Sequence, residues 1–106
     1  MNSPNNASSM WFQNAEEDLL GIGNNLNARQ VSWRLMGLLT QQTIEKYLKG
    51  FLATHQPTIQ RTHDLVGLLQ LSASFVPELQ SYEAQCRKLS ALYLIVIPRR
   101  KKCHSR

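Results

Sequence analysis

Gln41 and Glu45 stand one helical turn apart among Leu38, Ile44, Leu48, Phe51 and Leu52. At about 100° per residue both fall inside the sector that those apolar side chains define. A carboxylate on an apolar face must find a hydrogen bond or a counter-charge to offset its desolvation. Glu45 therefore calls for a partner from elsewhere in the chain. Lys46 and Lys49, three residues apart with Gln42 beside them, neighbour each other on the surface of the same helix and could meet the phosphates of a nucleotide. His63 and Asp64 lie together at the mouth of a later helix, and His104 stands in a run with Arg99, Arg100, Lys101, Lys102 and Arg106.

Other chemistries find no support. There is no Gly-rich phosphate loop, no paired carboxylate site and no Ser-His-Asp arrangement. Cys86 and Cys103 are too few and too far apart for a zinc framework, so neither a metal nor a cofactor is expected. Free cysteines fit a reducing cytoplasm. The longest apolar run, Ala91 to Ile97, is far short of the roughly 20 residues a membrane-spanning helix needs, and no Lys or Arg precedes Arg29 to form the charged start of a secretory leader.

The 106 residues carry a formal net charge of +5, which resembles a nucleic-acid signature until it is located. Residues 99–106 hold five of the twelve basic side chains, and residues 1–98 balance seven basic against seven acidic groups. The charge thus belongs to a solvated, disordered tail and gives no sign of a basic face on the body. With 42% apolar residues, the chain has enough for one core and is read as one domain over 1–106, with 1–9 a flexible start.

Four helices must position these residues. Ser8 or Ser9 can cap a first helix near Trp11, in which Trp11, Ala15, Leu19, Ile22 and Leu26 form a stripe. The asparagines at 24, 25 and 27 end it. A second helix is predicted from Arg29 to His55, stopped by Pro57. Thr62 can cap a short third helix with Leu65, Leu68 and Leu69 inward, and Pro77 opens a fourth. In that fourth helix Leu79, Tyr82, Cys86, Leu89, Tyr93 and Val96 make a heptad-like seam. Its apolar end, Ala91 to Ile97, is wide enough to suggest a covering partner chain, or a short terminal strand. The fold class that follows is all-α, an antiparallel up-and-down four-helix bundle with room for a short fifth element at the C-terminus.

The block Gln41-Gln42-Thr43-Ile44-Glu45-Lys46-Tyr47-Leu48-Lys49-Gly50, followed after twelve residues by His63-Asp64-Leu65, resembles the signature of HEPN domains. Thr62 completes the second element, and Trp11 with Asp18-Leu19 is similar to the family's opening pattern. The resemblance implies a prokaryotic, cytoplasmic helical bundle, commonly a homodimer. It also implies that Gln41 and Glu45 meet His63 and Asp64 in a polar network, which can be architectural.

For function the resemblance implies a module that binds a nucleotide, RNA or a partner protein such as a minimal nucleotidyltransferase. Other HEPN proteins are metal-independent endoribonucleases of toxin-antitoxin or defence systems, using an Arg and a His with four to six residues between. Arg99 and His104 meet that spacing as phosphate cation and acid or base. Arg99 follows Pro98 at a terminus, however, where no helix packing fixes the pair. A non-catalytic scaffold is the third role the fold could serve, so the sequence leaves open whether this is an enzyme.

Overall fold

The structure, a computed structural model, describes residues 5–56 and 62–96, with side chains described at 7–56 and 62–92. Its elements are α1 (Asn5–Leu26), α2 (Trp33–Ala53), α3 (Leu65–Ala73), a 3₁₀ segment (Pro77–Tyr82) and α4 (Glu83–Val96). No strand occurs among the described residues, and residues 95 and 96 continue α4. The all-α bundle expected from periodicity is the architecture found. None of its helices is long and apolar enough to cross a membrane, among the described residues.

The helix starts differ from the sequence expectation for identifiable reasons. Helix α1 begins at Asn5, upstream of Trp11, and Ser8 is buried inside the helix, past its first turn. Helix α2 begins at Trp33, four residues after Arg29, because Ser32 is its N-cap and accepts the Leu35 N–H at 3.3 Å. Asn25 fixes the turn before it. Its side chain donates to Ser32 O at 2.9 Å and accepts the Ser32 N–H at 3.2 Å. The cap of α3 is Asp64, which accepts the Gly67 N–H at 3.2 Å, while Thr62 Oγ1 accepts the Asp64 N–H one step earlier. A carboxylate at that position also meets the positive end of the helix dipole. Pro77 opens the 3₁₀ segment, and its tighter winding throws the expected fourth-helix seam out of phase: Tyr82 is exposed, whereas Cys86 is buried.

Helix α2 is the central element. Trp11 lies against Lys49, Asp18 against Lys46 and Gly21 beside Leu39, so α1 runs antiparallel to it. On another face α3 and α4 pack on α2, while α1 touches neither of them. Leu48, Leu52, Leu65, Leu68, Leu69 and Cys86 form the core there, flanked by Ile44, Phe51, Val66, Leu71, Leu79 and Leu89. At the far end of α4, Leu92 lies over Gly37.

Candidate functional site

The turn from Gln41 to Lys49 lies on the seam between the α1 face of α2 and its leucine face. Glu45 lies about 60° round the helix from Leu48, as three residues of helix dictate, and it is only 6% exposed. Two groups converge on one of its oxygens. Lys49 Nζ donates to Oε2 at 3.0 Å from one turn along α2, and His63 Nδ1 lies 2.7 Å from the same atom. Three elements build the cluster, because Trp11 of α1 places its ring 5.1 Å from the Lys49 ammonium. Opposite charge, hydrogen bonding and a cation–π contact together offset the desolvation of two buried ions.

Of the four polar residues expected to meet, the structure brings Glu45 and His63 together. Asp64 turns away to cap α3 through Gly67. Gln41 is buried, and its Oε1 accepts no hydrogen bond from the described residues. The lysine pair is split by its surroundings. Lys46 Nζ pairs with Asp18 Oδ2 at 2.6 Å and keeps 27% of its side chain exposed, whereas Lys49 is 5% exposed and committed to Glu45. The reading of both lysines as neighbours on a solvent-facing edge therefore holds for Lys46 alone. About 60° apart round the helix, the two meet different parts of α1, Lys46 at Asp18 and Lys49 at Trp11. Gln42 lies one turn before Lys46 and is half-buried. Arg99 and His104 lie outside the described residues.

Sequence reasoning missed the roles of Trp11 and Asp18 as partners of the two lysines. The one available signal was the acidic run Glu16-Glu17-Asp18 in a lysine- and arginine-free α1 facing a helix with two lysines. Two surface concavities, one lined by Ser32, Arg34, Leu35 and Leu38 and one by Ala28, Arg29 and Gln30, include neither Glu45 nor His63 in their linings. No group of three or more His, Cys, Asp or Glu side chains could hold a metal ion among the described residues.

Of the expected network the helical bundle keeps the contact of Glu45 with His63 just before α3, and it adds the buried Lys49 as a second partner of that carboxylate. The family model of the HEPN domain matches residues 8–97. The chain belongs to the HEPN domain family. No curated protein and no solved structure matches it.

Proposed function

We propose that this chain is a HEPN module that binds a nucleotide or RNA, acting as a homodimer in the cytoplasm beside a partner protein such as a minimal nucleotidyltransferase. The observation that carries the reading is the HEPN match across residues 8–97, which supports a nucleotide- or RNA-directed helical module in general. Lys46 is the phosphate contact in this proposal: its ammonium reaches the surface and can exchange the Asp18 carboxylate for a phosphate. Gln42 stands beside it, and Lys49 contributes from behind through Glu45.

Thermal melting with ATP and with a single-stranded oligoribonucleotide tests the reading. A ligand that binds the folded state raises Tm with the logarithm of its concentration, and Lys46→Ala is expected to shrink that rise. A Tm indifferent to both ligands would leave the assembly role, a scaffold, and light scattering would then report whether the chain dimerises.

A second reading, a metal-independent endoribonuclease of a toxin-antitoxin or defence system, is favoured by the four residues that separate Arg99 from His104. His104→Ala should abolish RNA cleavage in EDTA under that reading, and unchanged cleavage would remove the pair from consideration.

A further inference from the structure

Over residues 1–98 the seven basic and seven acidic side chains balance, but the fold does not leave them mixed. Gly21 lies beside Leu39, and Leu92 lies over Gly37, so the end of α1, the start of α2 and the end of α4 share one end of the bundle. No Asp or Glu occurs in residues 19–44 or 84–106. Those two stretches nevertheless hold nine of the twelve Lys and Arg. Cys86 packs in the cluster that contains Leu48 and Leu52, whereas Leu92 meets Gly37, so α4 runs antiparallel to α2. At about 1.5 Å per residue, Val96 is as far past Leu92 as Trp33 is before Gly37. The last turn of α4 therefore ends level with Trp33, and the basic run Arg99-Arg100-Lys101-Lys102 begins three residues further along the sequence.

What this end exposes is both cationic and apolar. Arg29 and Arg34 are exposed and make no ion pair among the described residues. Trp33 is 70% exposed, and Leu26, Leu35 and Leu92 are exposed with it. An indole open to water among arginines and leucines suits the boundary between lipid headgroups and hydrocarbon, where guanidinium groups meet phosphates and the ring leaves water. Two other occupants fit less well. A second copy meeting this end across a two-fold axis would set like charge against like charge, with no carboxylate to relieve it. RNA would satisfy the arginines and could stack on Trp33, but would leave the three leucines in water. We propose that this acid-free end docks on a bilayer surface containing anionic lipid, with Trp33 inserted at headgroup level and Arg29, Arg34 and the run 99–102 neutralising lipid charge. Attachment is peripheral and does not depend on ligand binding at Lys46.

The experiment sediments the full chain with vesicles of phosphatidylcholine alone and of phosphatidylcholine and phosphatidylglycerol in equal parts. Binding is expected only to the anionic vesicles and should weaken as added salt shortens the Debye length. A basic side chain at such a surface is worth about a fivefold change in affinity, so Arg29→Gln with Arg34→Gln is expected to weaken binding about 25-fold. Trp33→Ala should weaken binding while keeping its salt dependence, and should lose the blue shift of emission that vesicles induce in the parent. All these side chains are exposed, so helical circular dichroism is expected to be unchanged. A parent chain that ignores anionic vesicles would overturn the proposal. Binding undiminished in both variants would also overturn it, since the run 99–102 alone would then account for attachment. An oligoribonucleotide held through Arg29 and Arg34 by a chain that ignores vesicles would assign this end to nucleic acid instead. Self-association lost in Trp33→Ala, again without vesicle binding, would assign it to a second copy.

Discussion

The two sides of α2 are held in different ways. Toward α3 and α4 it presents Leu48 and Leu52 to Leu65, Leu68, Leu69 and Cys86, a core in which burial of apolar area is the main stabilising term. Toward α1 and along the seam the contacts are particular. Lys46 pairs with Asp18, Lys49 with Glu45 and the Trp11 ring, and Phe12 lies where Gly50 has no side chain. The leucine side tolerates exchange of one hydrocarbon for another of equal volume. The other side fixes register, because each of its partners has one geometry in which desolvation is offset. A single helix can therefore carry a permissive face and an exacting one, and the exacting one adjoins the candidate site.

Single substitutions separate the two faces. The largest effect is expected for Lys49→Ala, which leaves Glu45 buried without its ammonium; losing one partner of a buried pair costs about 3–5 kcal/mol. Replacing both members, as Glu45→Leu with Lys49→Met, should recover most of that stability in urea titrations, since a buried ion pair is often no better than well-packed hydrocarbon. A double variant as unstable as the single one would show that the pair is worth more than packing.

On the leucine side, Leu52→Ala is expected to cost about 2–5 kcal/mol, the range for emptying a fully buried leucine site. Leu52→Met should cost less than about 1.5 kcal/mol because volume is conserved. Equal losses for the two would contradict the permissive description.

At Gly50 an added Cβ would stand 2.7 Å from Phe12 Cδ1 and closer still to Cε1. Gly50→Ala should therefore destabilise by about 1–3 kcal/mol through overpacking. The same change in a Phe12→Leu background should cost markedly less, a coupling that a double-mutant cycle reads directly. Additive effects would mean that Phe12 moves aside freely.

The smallest effect concerns Cys86. Burial, and secondarily the charge of Glu83, raises its thiol pKa above the ordinary value. The folded pKa lies above the unfolded one, so the contribution is fully present below the ordinary thiol pKa and is lost as pH rises through the raised value. Stability measured in urea should fall over that alkaline window by more in the parent than in Cys86→Ala, and parallel curves would remove the thiol as the cause.

Much of the leucine face could be read from the chain. Leu48, Leu52, Leu65, Leu68 and Leu69 recur at helical spacing, and period alone assigns them inward. The α1 stripe was legible only in part: Ala15 is fully buried, but Leu19 and Leu26 are exposed. Ser8, Phe12 and Asp18 displace them toward α2 because Gly50 admits an aromatic ring and Lys46 attracts a carboxylate. Neither cause lies within α1 itself.

The sequence by itself determined that this protein is helical, that it has one leucine core and that Glu45 needs a partner, since periodicity and desolvation act on local chemistry. Family membership was legible in the spacing of Gln41-Gln42, Glu45-Lys46, Lys49 and His63-Asp64. Only the tertiary structure decided that Lys49 turns inward to Glu45 while Lys46 stays at the surface, that Asp64 caps α3 instead of joining Glu45, and that His63 keeps one ring nitrogen toward solvent. Those choices depend on which side chains other helices bring within about 3 Å of an oxygen, the reach of a hydrogen bond, and residue spacing along one chain does not contain that distance.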